Sequence, residues 1–229
     1  DGGHFRVYPA AGEKSKQNYL EGKYHRFSHQ NEMAFPGYYA VQFKRTGILA
    51  ELTATERTGV HRYTFSGAET PHILIDVASS LGKGKSSDGE IHVSPEGEIT
   101  GSICTYGSFA SRYGGQKIYF SAQFDQSFQA FNFWSGKNSE RQGSSIKADT
   151  LGIDLVFDKK SASEVIGLRL GISYVSIENA RENREAETGG LTFEESQKKA
   201  AEKWEEKLAL VKIEGGTDER RTIFYSALY

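Results

Sequence analysis

Phe27-Ser28-His29-Gln30-Asn31-Glu32-Met33-Ala34-Phe35-Pro36-Gly37-Tyr38-Tyr39, answered by Glu51-Leu52-Thr53-Ala54-Thr55-Glu56-Arg57-Thr58-Gly59-Val60-His61-Arg62-Tyr63-Thr64-Phe65, decides how this chain folds. Pro36-Gly37 is a turn signal. Beyond it Tyr39, Val41 and Phe43 alternate with Ala40, Gln42 and Lys44, the two-residue period of a strand with one buried face. Gly47 allows a reversal, and Ile48, Ala50 and Leu52 begin a return strand. His61, Tyr63 and Phe65 fall on one face of a third strand, Arg62 and Thr64 on the other. The spacing predicts a three-stranded antiparallel meander. Ser28, His29 and Glu32 are expected in the loop leading into it, with Arg57, His61 and Arg62 at or near its other end.

Outward from the meander the same period continues. Residues 4–8 read as a strand and Glu13 to Arg26 as a polar loop. His72-Ile73-Leu74-Ile75-Asp76-Val77 is dense enough in apolar residues for a strand covered on both faces. Ser79 to Gly89 reads as a solvated loop. Ile91 and Val93, then Ile99, Ile103 and Tyr106, form a hairpin around Pro95-Glu96-Gly97, and Gly114-Gly115 marks the next turn. Ile118, Phe120, Ala122 and Phe124 alternate; Phe128 to Trp134 is a strand stopped by Ser135-Gly136. Lys137 to Ser145 is a polar loop. Leu151, Ile153, Leu155 and Phe157 alternate, as does the run from Val165 through Arg169 toward Tyr174 and Ile177. About eleven to thirteen short strands at this spacing predict a mainly β protein, an antiparallel β-sandwich.

The pattern changes after Glu187. Thr188-Gly189-Gly190 is a breaker. Thr192 followed by Glu195 is a capping box, and Ala200, Ala201, Trp204, Leu208 and Val211 recur at helical spacing. Gly215-Gly216 breaks that helix, and Thr217-Asp218-Glu219 starts another. The expected organisation is a sandwich over residues 1–187 and a C-terminal α-helical connector over 188–229.

With 229 residues the chain can bury a sizeable core, and 25 glycines against 4 prolines suit many short strands joined by turns. A formal net charge of −2 supplies no basic field for nucleic acid. The single cysteine, Cys104, excludes an internal disulfide and reads as a small core residue. No apolar run approaches 18 residues, so no membrane span is expected. Gly82-Lys83-Gly84-Lys85-Ser86-Ser87 lacks the first glycine and the following helix of a phosphate loop. His25 and His29 match no zinc spacing. Trp134 and Tyr106 either stack on a sugar or, more ordinarily in a sandwich, fill the core. Trp204 is expected to pack on the sandwich or on a further domain.

The two opening stretches, read as FSHxNExAxPGYYxV over Phe27–Val41 and GIxAELTATxRTGxHRYTF over Gly47–Phe65, resemble the amino-terminal domain of the calcium-dependent exo-α-mannosidases, glycoside hydrolase family 92. Arg221-Thr222-Ile223-Phe224-Tyr225-Ser226-Ala227-Leu228-Tyr229 resembles the point where that family enters its large helical catalytic domain. The resemblance implies a piece of a longer bacterial enzyme that removes terminal α-linked mannose from glycans with inversion. It implies that the general acid, the general base and the calcium-binding carboxylates lie in an (α/α) barrel beyond Tyr229, so that no catalytic or metal-binding residue is expected in this chain. The family's first Gly- and Pro-rich segment has no counterpart here. The partners implied are the chain's own C-terminal catalytic domain and mannose-containing glycans, and export to the periplasm or cell surface is implied by what such enzymes act on.

On that footing His29, Glu32, Tyr38, Arg57 and His61 are candidate rim residues of a sugar pocket. The blander alternative is that Ser28, His29 and Glu32 tie up nearby backbone and that Thr53, Thr55, Arg57, His61 and Arg62 make cross-strand pairs. Two rivals of another class remain: a free-standing carbohydrate-binding sandwich, which would show an exposed aromatic platform, and a purely structural adhesion module.

Overall fold

The computed structural model describes residues 4–229 except 81–83, 108, 137, 138, 142, 161 and 162. The expectation placed on Gly82-Lys83 lies outside the described residues. In chain order the strands are β1 (Arg6–Ala11), β2 (Glu32–Phe35), β3 (Tyr38–Gln42), β4 (Leu49–Ala54), β5 (Thr58–Phe65), β6 (Pro71–Asp76), β7 (Lys85–Val93), β8 (Ile99–Tyr106), β9 (Gln116–Phe124), β10 (Ala130–Ser135), β11 (Ser139–Arg141), β12 (Ser145–Ala148), β13 (Leu151–Val156) and β14 (Glu164–Ser173). The α-helices are α1 (Ser15–Leu20), α2 (Ile177–Thr188), α3 (Phe193–Leu208) and α4 (Asp218–Leu228).

Two antiparallel sheets face each other. One runs β1-β6-β13-β10-β11 and the other β12-β7-β8-β9-β14-β5-β4-β3-β2. Their inner faces interdigitate through Phe65, Ile75, Phe120, Phe133, Ile153 and Ile166, each at most 2% exposed. Burying such side chains contributes roughly 1.5–3 kcal/mol apiece, so this layer is the main source of stability. The dense run at Ile73-Leu74-Ile75 is buried on both faces, as its composition requires: Ile73 and Ile75 enter the inter-sheet core, while Leu74 packs outward with Ala10, Tyr19 and Trp134. Trp134 is therefore core.

The outer face of the larger sheet carries the helices. Gly171 of β14 lies under α2 so closely that a Cβ there would meet Ala180 O at 2.4 Å. Gly37, at φ +82° in the β2–β3 turn, lies under α3; a Cβ would meet Ala200 at 2.9 Å. The capping box of α3 is formed, with Thr192 Oγ accepting from Glu195 N and Glu195 accepting from Thr192 N. Thr217 caps α4 as the sequence predicts.

Several expectations need correction. Glu13 to Arg26 is not all loop: α1 forms because Tyr19 is drawn beneath the small sheet, where its hydroxyl donates to Asp76 Oδ2 at 2.8 Å. Glu32 lies not in the loop but in β2, paired with Val41, which makes the meander four-stranded. β7 begins at Lys85, inside the polar run, because Ser86 and Ser87 pair with Thr105 and Cys104. The Lys137–Ser145 stretch contains β11. β14 stops at Ser173, and the acidic stretch after it is α2, capped by Ser176. That helix buries Ala180, Arg184 and Thr188, so it is not merely an exposed polar face.

Candidate functional site

The hairpins bring the turns at Pro36-Gly37 and Glu56-Arg57 to one end of the nine-stranded sheet, because Tyr39 pairs with Leu52 and Leu52 with His61. There the sheet meets α3 and α4 around a cleft of about 1260 Å³. Tyr38, Tyr39, Leu52 and His61 line its sheet side; Trp204, Thr222 and Tyr229 line its helical side. Trp204 and Tyr229 pack ring to ring at 4.2 Å. α4 buries none of its own residues and leaves Ile223 and Tyr229 exposed, so the helical wall presents apolar surface that the sandwich does not cover.

The five candidate residues do not form one constellation. His29 and Glu32 sit at the opposite end of β2 from the cleft and pair with each other, His29 Nδ1 lying 2.6 Å from Glu32 Oε2. Tyr39 adds a bond to the other carboxylate oxygen at 2.5 Å. Donation from Tyr39 and then His29 holds the Glu32 carboxyl below its usual range, and burial together with that carboxylate pushes the Tyr39 hydroxyl up to about 12. Ser28 behaves as the blander alternative has it, accepting from Gln30 N.

Tyr38 belongs to a second group. Its hydroxyl donates to Glu51 Oε1 at 2.9 Å, and burial followed by that contact pushes it up to about 12. Arg62 forks onto both Glu51 oxygens at 2.8 Å, reaches Glu194 of α3, and lies 4.2 Å from the Phe193 ring centre. The Arg62 bonds hold Glu51 low. Arg57 forms a third group with Glu187 of α2, at 2.9 Å through Nε and 3.0 Å through its backbone N–H, while Thr55 Oγ donates to the same carboxylate at 2.5 Å. Burial pulls the Glu187 carboxyl upward, but these three donors outweigh it and hold it low. A fourth carboxylate, Glu98, takes Arg181 through Nε and Nη2 at 2.8 Å and Arg184 at 3.3 Å, again from α2.

His61 stands on the inner face, where burial pushes its imidazole down to about 4, so it is neutral at pH 7. Its Nδ1 lies 2.7 Å from the buried Tyr63 hydroxyl. A Cβ on Gly59 would meet its Nε2 at 2.9 Å, so glycine there gives the ring its place. His25 is structural: it stacks on Tyr8 at 4.9 Å and on Phe43 at 4.7 Å, with Nε2 at 2.9 Å from Pro9 O.

Chemically, the cleft offers hydroxyls, a neutral imidazole and aromatic faces. Asp218 and Arg221 of α4 add an ion pair to its wall, and Glu51 and Glu187, on the elements around it, are held low by donors, whereas a general acid needs a raised pKa. Among the described residues no three His, Cys, Asp or Glu side chains are grouped to hold a metal ion, and no helix is long and apolar enough to cross a membrane. The sequence reading missed Glu98, Glu187 and Glu194, and did not join Glu51 to Arg62 and Tyr38. The charge-rich strand face at Glu51 and Arg62 was visible, but the helical partners were far along the chain.

Residues 1–173 match the family model described as the glycosyl hydrolase family 92 N-terminal domain, and residues 179–229 match that family's catalytic domain. The comparison with curated proteins gave no match. Among solved structures, the family 92 α-mannosidase BT3965 of Bacteroides thetaiotaomicron is similar over 100% of this chain and 31% of its own, at 28% identity and a TM-score of 0.85. The inverting mannosidase BT2199 of the same organism is similar over 98% of this chain and 29% of its own, at 28% identity and a TM-score of 0.83. A family 92 glycosyl hydrolase, ccman5, gives 27% identity over 99% of this chain and 31% of its own, with a TM-score of 0.83. The chain thus spans about three tenths of the length of these structures. By the match over residues 1–173, the chain belongs to glycosyl hydrolase family 92.

Proposed function

We propose that this chain serves as the amino-terminal sandwich and first helices of an exo-acting α-mannosidase that releases terminal α-linked mannose from glycans with inversion. The observation that carries this is the unbroken order of the two family matches along one chain, N-terminal then catalytic, with the sandwich fastened to the second region by the Glu98, Glu187 and Arg62 ion pairs. Inversion needs two carboxyl groups about 6.5–9.5 Å apart across a sugar. Glu51 and Glu187 are occupied in fastening α3 and α2, and Asp218 in the cleft wall is paired with Arg221 of its own helix, which supports an acid and a base supplied from outside these 229 residues. Calcium, which would help distort the sugar in such a reaction, is proposed to bind carboxylates outside this chain. The domain boundary is proposed near residue 187, and the enzyme is proposed to act outside the cytoplasm. His29, Glu32, Tyr38, Arg57 and His61 remain proposed rim residues, with Tyr38 and His61 supported by their place in the cleft wall.

A second reading, a carbohydrate-binding sandwich acting by itself, has one observation in its favour. Phe109 and Tyr113 pack at 5.5 Å while 69% and 75% exposed, an aromatic pair open to solvent. A paired assay separates the two. This chain, and a chain extended through the downstream gene sequence, are given α-1,2-mannobiose with calcium and with chelator. Release of mannose by the extended chain alone, stopped by chelator, is expected. Release by the 229-residue chain would return the search for the acid and base to Glu32 and Glu51.

A further inference from the structure

A second cleft, of about 660 Å³, opens between the β7–β8 turn and the segment joining β9 to β10. The strand register puts it away from the Pro36-Gly37 and Glu56-Arg57 turns, although Asp125 on its wall also borders Phe193 at the start of α3. Thr58 pairs with Gly171 at the end with those turns, whereas β9 runs past its Phe124–Leu168 pair toward the opposite end. The two clefts share no lining residue.

One wall is aromatic and fixed. Phe128 meets Phe131 edge-on at 5.8 Å and the buried Phe157 at 6.2 Å. The same cleft is lined by Glu96, exposed on the turn, and by Asp125, whose Oδ1 accepts the Gly167 N–H at 2.9 Å. The Gln126 amide beside them is anchored by donation to Val165 O at 3.1 Å. Among the described residues no Lys or Arg lines the cleft. Asp125 has the Arg169 charge behind it, outside the cleft, and both carboxylates accept readily from the adjacent hydroxyls of a neutral ligand. An aromatic wall takes the apolar face of a pyranose, and few convergent polar groups over an apolar floor are what a small-molecule site needs.

We propose that this cleft is a second, non-catalytic subsite for a neutral pyranose, holding a glycan away from the cleft lined by Trp204 and Tyr229. It rests on the mannosidase proposal only for the choice of sugar. The test is amide shift mapping by NMR on this chain titrated with α-1,2-mannobiose. Saturable shifts are expected at Glu96, Gly97, Asp125 and Gln126. Phe128→Ala loosens the contact with Phe157 and so reports on folding as well. The deciding variant is therefore the pair Glu96→Gln with Asp125→Asn, which keeps the volume and the acceptor for Gly167 and is expected to weaken binding at least about tenfold. Shifts confined to residues around Tyr38 and Thr222, no shifts at all, or the same shifts from calcium chloride alone would each overturn the proposal. An extended enzyme inactive on mannobiose sinks the mannosidase proposal and leaves this map standing; a blank map beside an active enzyme sinks the subsite alone.

Discussion

The two faces of the nine-stranded sheet are held by different physics. The inner face meets the smaller sheet through aromatic and branched side chains with almost no exposed area. The outer face meets α2 and α3 through guanidinium–carboxylate forks, with glycine at the closest approach and few large apolar residues between. Apolar contact is non-directional and tolerates small shifts, whereas a bidentate fork fixes angle as well as distance. The inner face therefore supplies stability, and the outer face sets where the helical region leaves the sandwich.

Truncation in the inner layer should produce the largest loss. Phe120 is fully buried and packs on Phe5 at 4.9 Å. Phe120→Ala is expected to cost about 3–5 kcal/mol, read as a drop in the denaturant midpoint. A loss under about 1 kcal/mol would show that the inner layer is not the principal core. On the outer face the corresponding experiment adds volume. Gly171→Ala places a Cβ against backbone of α2, which cannot rotate away, and overpacking of this kind costs about 1–3 kcal/mol. Amide exchange should accelerate in α2 while β6 and β13 stay protected; uniform acceleration would erase the distinction between the faces.

The inner layer was legible in the sequence because a strand writes its burial locally: Ile118, Phe120, Ala122 and Phe124 alternate whatever they touch. The caps at Thr192 and Thr217 were legible for the same reason, each being satisfied within three residues. The outer face was not. Glu51 and Arg62 look like an ordinary cross-strand pair until Glu194, more than a hundred residues on, joins them. α1 was hidden because only Tyr19, Leu20 and the small Ser15 dock it, within an otherwise polar run. Of the five candidate residues, Tyr38 and His61 reach the cleft wall, while His29 and Glu32 end up with each other.

Removing the best-built fork should weaken the outer face selectively. Arg62 links β5, β4 and α3, and Glu51 behind it is only 12% exposed at its side chain. Arg62→Ala leaves that carboxylate with the Tyr38 hydroxyl as its remaining partner and should cost about 1–2 kcal/mol after solvent screening. Acid should act on the same groups together. Glu51, Glu98 and Glu187 have folded-state pKa values held below the ordinary carboxylate value of 4.5. Their contribution is therefore present above that pH and is lost as pH falls through the depressed values. Exchange protection in α2 and α3 should fail on acidification before that of β6 and β13, and simultaneous failure would mean that the forks carry no separate share.

The smallest effect belongs to a contact that looks equivalent on distance alone. Lys203 of α3 reaches Glu56 in the β4–β5 turn at 2.9 Å, nearly the spacing of the Arg62 fork, and spans the same boundary. Its partners differ in burial: 61% and 66% of the two side chains are exposed. Water already solvates both charges, salt screens them, and holding two long side chains in one geometry opposes the little that remains. Lys203→Ala should leave the melting midpoint and the exchange pattern of α3 unchanged within error. If instead it loosens α3 as Arg62→Ala does, bridging the boundary matters more than burial and fork geometry. The outer face would then be held by the number of its ion pairs, and the contrast with the inner face would lie in charge alone.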